Sequence, residues 1–330
     1  MKKIFVLLVS ICLVMCGCGS YNQEKAVKDF KNLVDNNKSY YLEGNMSIVS
    51  GEKNYTYDVN VSYMQGSYYK VNLLNTDNSH EQIILKNDEG VYVITPDLNK
   101  SFKFQSDWPN NSSQAYILET ILNDIEKDSS RSFEEKDGKY YITSGVNYPN
   151  NSNFKTQKVT FNKKMEPEKV EILSTDGTTG ITMNFTKIEW SKKFEKDYFT
   201  LNANIKEDCC KETKETGSIE DIIYPMYIPV GTKFQNQEVV KSDGSERVIL
   251  TFEGEKPFIL VEELSNASKE FEVTSATGDL VFYETILGAL TDTSVSWSNG
   301  GRDYYIIGQN LSNEELLQIA SSTASVAVVK

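Results

Sequence analysis

Apolar residues recur at three- and four-residue spacing at Ala26, Val27, Phe30, Leu33 and Val34. This spacing predicts an amphipathic helix, and Asn22 stands where an N-cap is needed. The period then changes to two. Tyr40, Leu42, Met46 and Ile48 alternate with Glu43, Asn45 and Ser47. Tyr55, Tyr57, Val59, Val61 and Tyr63 alternate with Asn54, Thr56, Asp58, Asn60 and Ser62. Each run reads as a strand with one buried face and one wet face. SYYKVNLL, EQIILKND and GVYVITP follow at meander spacing, separated by short Gly, Asn and Asp turns.

A second helical stripe runs from about Ser113 to Lys127, with Ile117, Leu118, Ile121, Leu122 and Ile125 on one side. KYYITSG, TQKVTFN, EKVEILSTDG and GITMNFTKIEW return to strand. The class is α+β. A strongly curved antiparallel half-barrel, with helices in its concave face, satisfies every apolar face. The side chains on that face, Leu42, Met46, Ile48, Tyr57, Val59, Val61, Met183 and Phe185, have two readings. They either pack as core against the helices or line a cavity for an acyl chain, and the composition fits both.

The stretch IKEDCCKETKETGS, residues 205–218, is charged, lacks apolar periodicity and ends in Gly-Ser, which marks a linker. Residues 219–330 then read as a smaller α+β unit. RVILTF and PFILVEE are strands, and VSWSNGGRDYYIIG is a hairpin with Asn299-Gly300 as its turn. Ser312 and Glu315 have capping-box spacing ahead of Leu316, Leu317 and Ala320. This unit shows no site.

The chain starts Met1-Lys2-Lys3 and is apolar from Ile4 to Met15 except for Ser10. That layout is a secretory signal, shorter than the about 20 residues a membrane-spanning helix needs. LVMCGCGS follows, and it resembles the lipobox of bacterial lipoproteins. A signal peptidase needs a small residue at the cut. Gly17 precedes Cys18, whereas Cys16 is preceded by bulky Met15, so cleavage after Gly17 is expected. The resemblance implies that Cys18 carries a diacylglycerol thioether, with an N-acyl chain such as palmitate. Two or three such chains anchor a protein stably. The expected organisation is signal peptide 1–17, lipidated Cys and tether 18–23, first domain 24–204, linker 205–218 and second domain 219–330. The expected location is the extracytoplasmic face of the cell membrane.

Removal of the signal takes the net charge from −13 to −15, because Lys2 and Lys3 leave with it. That acidity argues against nucleic acid as a partner. Arginine is confined to Arg131, Arg247 and Arg302 while Asn and Lys abound, a low-GC pattern that with the lipobox points to a Gram-positive bacterium. His80 is the lone histidine, in the turn before EQIILKND, and reads as a surface-turn residue. No nucleophile elbow, zinc-binding helix or phosphate-binding glycine loop is present. Neither catalysis nor a metal or other cofactor is therefore expected. Cys209 and Cys210 are adjacent, and Cα atoms about 3.8 Å apart lie below the usual disulfide range. They either cross-link two chains or stay as thiols.

The order of elements resembles that of the LolA/RseB-like lipoprotein carriers and regulators. The pieces that carry it are the opening helix, the meander, GVYVITP, and FNKKMEPEKVEILSTDGTTGITMNFTKIEW running into DYFTLN. YPMYIPVGTKF and the ending NGGRDYYIIGQNLSNEELLQIASS are similar to the tail of the Gram-positive group related to the germination lipoprotein GerS. The resemblance implies a tethered regulator with a protein partner in the envelope or spore cortex, a cell-wall amidase among them. Its alternative is a carrier or sensor of acyl chains.

Overall fold

A computed structural model describes residues 21–205, 219, 221–242, 245–265 and 272–323. Gly17, Cys18, Cys209 and Cys210 lie outside the described residues. Helix α1 (Gln23–Asn36) begins as expected, with the Asn22 side chain accepting from the Lys25 N–H at 2.9 Å. Eleven strands and one helix follow: β1 (Ser39–Ser50), β2 (Lys53–Met64), β3 (Tyr68–Asn75), β4 (Glu81–Asn87), β5 (Gly90–Thr95), β6 (Lys100–Phe104), α2 (Leu118–Lys127), β7 (Ser132–Lys136), β8 (Lys139–Gly145), β9 (Phe154–Phe161), β10 (Pro167–Ser174) and β11 (Thr179–Trp190). The rest of the described chain forms β12 (Thr232–Ser242), β13 (Ser245–Gly254), β14 (Phe258–Leu264), β15 (Glu272–Ser275), β16 (Asp279–Tyr283), β17 (Ile286–Leu290), β18 (Ser294–Asn299), β19 (Arg302–Ile307) and α3 (Asn313–Thr323).

Two open sheets result. The first has twelve strands in the order β15-β6-β5-β4-β3-β2-β1-β11-β10-β9-β8-β7, and the second has seven in the order β12-β13-β14-β19-β18-β17-β16. All pairings are antiparallel except that β15 runs parallel to β6. A strand from the far end of the chain thus completes one edge of the first sheet.

One face of the first sheet is buried by α1 and α2. Leu42, Val59, Val61, Val71 and Met183 are fully buried there, and Phe30 of α1 meets the ring of Phe161 at 4.9 Å. Burial of aliphatic and aromatic side chains on this scale is the main stabilising term, roughly 1.5–3 kcal/mol for each. On the opposite face, Phe194, Phe199 and Leu201 fold back over Ile83, Leu85, Tyr92 and Ile94. This second cover explains why the apolar runs of β4 and β5 do not alternate: both faces are inside.

Two details differ from the sequence expectation. Helix α2 starts at Leu118, five residues later than Ser113, because Ile117 is extended (φ −112°, ψ 117°). Side chains hold the preceding turn instead: the Gln114 N–H reaches Thr120 Oγ1 at 3.2 Å and Ser113 Oγ reaches Asp124 Oδ2 at 2.6 Å. In the last hairpin Asn299 pairs with Arg302, so the turn is Gly300-Gly301, with φ of 58° and 77°. The capping box of α3 forms as read: Ser312 N–H to Glu315 Oε2 at 3.0 Å, and Glu315 N–H to Ser312 Oγ at 3.2 Å.

Candidate functional site

Three features stand out from ordinary packing. The first is a cavity of about 1010 Å³ where β1 and β11 of the first sheet face β16 of the second. Met46 and Ile48 of β1, Ile181 of β11 and Phe154 of β9 form one wall, and Leu280 and Phe282 of β16 form another. Residues 111–116 ahead of α2 and residues 149–151 bring a dense set of amides and hydroxyls to the same space. Of the residues read as lining a concave pocket, Met46 and Ile48 reach this cavity. Leu42, Tyr57, Val59, Val61 and Met183 are packed in the core with α1 and α2, and Phe185 is half-buried against it.

The second feature is a carboxyl in an aromatic setting. Glu119 lies in the first turn of α2, and the Tyr40 hydroxyl donates to its Oε2 at 2.7 Å. The Tyr40, Tyr63 and Tyr69 rings follow one another at 5.0 Å spacing, flanked by Trp190 and Trp108. Burial pushes the Glu119 carboxyl up from 4.5 to about 7, and hydrogen bonds from Tyr40 and Tyr69 oppose that only in part. Burial also raises Asp124, one helical turn further on, from 3.8 to about 6, against the bond from Ser113. His80 sits in an exposed turn, yet its imidazole is half-buried. Desolvation lowers its pKa, against the pull of Asp97. Among the described residues no group of three or more His, Cys, Asp or Glu is placed to hold a metal, and no helix is long and apolar enough to cross a membrane.

The third feature is the β12 edge of the second sheet, free among the described residues. β12 is its terminal strand, and every described side chain from Lys233 to Lys241 is exposed. Phe234, Val239 and Val240 are among them. The chain leading into β12 carries Met226 at 72% exposure and Val230 at 94%. Tyr224 anchors this segment, stacking edge-on to Phe234 at 5.7 Å and donating its hydroxyl to Gln237. Deeper in, buried Glu262 accepts from Arg302 and from the Ile223 N–H at 3.1 Å.

The second unit therefore supplies a cavity wall and an edge with exposed apolar side chains, although its sequence shows no site. A signal for the edge does exist. IIYPMYIPV is apolar without period and broken by two prolines, so it can be neither a strand nor a helix face.

The chain is 34% identical over 328 residues to the sporulation protein YdcC of Bacillus subtilis (strain 168), covering 97% of each. Among solved structures it aligns with the LolA superfamily protein NE2245 from Nitrosomonas europaea at 10% identity and TM-score 0.33, covering 55% of this chain and 99% of that one. It also aligns with a chain of the CwlD amidase–GerS lipoprotein complex from Clostridioides difficile at 16% identity and TM-score 0.22, covering 53% and 95%. The groups that the sequence resembles are thus met again among the matches. The family model for sporulation protein YdcC-like chains matches residues 1–199, and with a relative aligned from end to end this chain belongs to that family.

Proposed function

We propose that this chain is a lipid-anchored extracytoplasmic protein that acts by binding a protein of the envelope or spore cortex, without catalysing a reaction itself. Cys18 is the anchor, and the curved first sheet is a half-barrel closed over α1 and α2. The observation that carries the reading is the β12 edge. β12 is long, has no strand on its outer side among the described residues, and carries exposed Phe234, Val239 and Val240 between polar side chains. Such an edge is a template for strand addition unless something covers it. Met226 and Val230 widen the same surface, which suits a partner adding a strand to β12 and laying apolar side chains beside it. A cell-wall amidase is the first partner class to test.

The test is photo-crosslinking in sporulating cells of the host, with the reactive residue placed at Val230 or Val239. Glu134, on the exposed edge strand β7, is the control position. The expected result is one discrete adduct from the β12 edge and none from β7, with its partner read by mass spectrometry. Equal labelling from both edges, or none from β12, overturns the reading.

A further inference from the structure

The cavity between β1, β11 and β16 has a chemistry that the partner reading does not use. Its size, about 1010 Å³, lies at the top of the range of roughly 300–1,000 Å³ for small-molecule sites. One side is aromatic and aliphatic. Tyr148, Phe154 and Phe282 are half-buried there, so part of each ring stays open to the cavity. Each is held edge-on to another ring, Tyr148 against Phe154 at 5.3 Å and Phe282 against Tyr57 at 6.0 Å. The other side is unusually rich in neutral polar groups, among them Gln105, Asn111, Asn150 and Thr277. Asn111 Oδ1 is buried with no hydrogen-bond partner among the described residues. Gln114 is already committed, donating to Ser112 at 2.8 Å and accepting from the Tyr116 hydroxyl at 2.8 Å, which stiffens the wall behind Asn111.

The charges narrow the choice of ligand. Asp279, Glu284 and Asp292 stand around the cavity. Lys103, the one basic residue on its wall among the described residues, holds its ammonium 5.4 Å from the centroid of Tyr92. A phosphate or carboxylate would meet three carboxylates here against the single ammonium of Lys103, so the balance of charge is against an anion. An acyl chain would suit the apolar wall but would strip water from the amides without replacing it. Adjacent hydroxyls match an amide, which offers a donor and an acceptor side by side. The C–H face of a sugar ring, in turn, suits an aromatic wall.

We propose that this cavity binds a short oligosaccharide of neutral or basic sugars. The amides of Asn111 and Gln105 take the hydroxyl groups, Tyr148, Phe154 and Phe282 take the ring faces, and the carboxylates favour sugars with a free amine. The site is separate from β12, so loss of partner docking leaves it intact.

The experiment is calorimetry and saturation-transfer NMR on the full mature protein in mild detergent. The probes are a trimer of N-acetylglucosamine, the corresponding glucosamine trimer, and laurate. Saturable binding of at least one trimer is expected, weakened tenfold or more by the double change Gln105→Ala with Asn111→Ala. Phe282→Leu, which keeps the apolar contact and removes the ring, should weaken it similarly. Because Phe282 also packs against the first core, the double variant in the polar wall carries the test if Phe282→Leu unfolds. Absence of binding by both trimers overturns the proposal, whether or not laurate binds. Trimer binding unmoved by the double variant overturns it too.

Discussion

Replacing Glu119 by Gln separates the cost of its buried charge from everything else at that position. The carboxyl titrates at about 7 in the folded chain against 4.5 for a free one. The sign follows from which state keeps the proton. Between these values the unfolded chain releases it while the folded chain holds it, so wild-type stability falls as pH rises through that window. At about 1.4 kcal/mol for each tenfold difference, the full loss is about 3 kcal/mol above pH 7. Glutamine carries no charge to desolvate. It still offers an oxygen to the Tyr40 hydroxyl, and any penalty for its own unpaired amide is the same at every pH. The stability difference between Glu119→Gln and wild type should therefore shift by about 2.5 kcal/mol in favour of the variant between pH 5 and pH 8. Urea unfolding at the two pH values, with slopes checked for constancy, measures this directly. Asp124 leaves a residual fall below about pH 6 in both proteins, because its carboxyl is raised to about 6. If the two proteins lose stability in parallel from pH 5 to 8, Glu119 does not carry a buried charge and the account of this cluster is wrong.

Two further outcomes are expected. Cys18→Ala should move the protein from the membrane fraction to the soluble fraction while Cys16→Ala leaves it in place, and unchanged fractionation of the Cys18 variant would remove the lipid anchor. Arg302→Met should cost about 3–5 kcal/mol in chemical denaturation, since it leaves the fully buried Glu262 carboxylate without its charged partner; a cost under about 1 kcal/mol would mean that the pair is solvated like a surface bridge.

How far the chain could be read follows from how local each signal is. Helix α1 and strands β1 and β2 carry sharp periods, and pattern and structure agree along them except at Ser62, which falls on the expected wet face of β2 but is buried beside the Tyr198 hydroxyl at 2.9 Å. β4 and β5 blur because Phe194 and Phe199 cover their second face, a contact made by residues far along the chain. The start of α2 shifted because Thr120 Oγ1 accepts from the Gln114 N–H and donates to the Gln114 carbonyl, backbone groups that a helix starting at Ser113 would use itself. The four-residue strand β15 is too short for alternation to register. The cavity was the least visible part, for a physical reason: Met46 alternates like any core residue, and Phe282 lies in the unbroken apolar run of residues 280–283, so period marks out neither. Period tells which side of a strand is dry, and it does not tell whether the dry side meets a side chain or an open space.

The parallel pairing of β15 with β6 bears on what a cut in the chain would do. Proteolysis between residues 205 and 219 would break the covalent link between the halves and leave their shared sheet whole. Lys100 and Asp303 would still form their ion pair at 3.1 Å, and Ser50 would still donate to Glu284 at 2.7 Å. Leu280, Leu287 and Ala289 would remain inside the first core. A nicked molecule should thus travel as one particle through gel filtration. Each fragment expressed alone would lack part of a structure that the other completes, because the two sequence units share one sheet and one core.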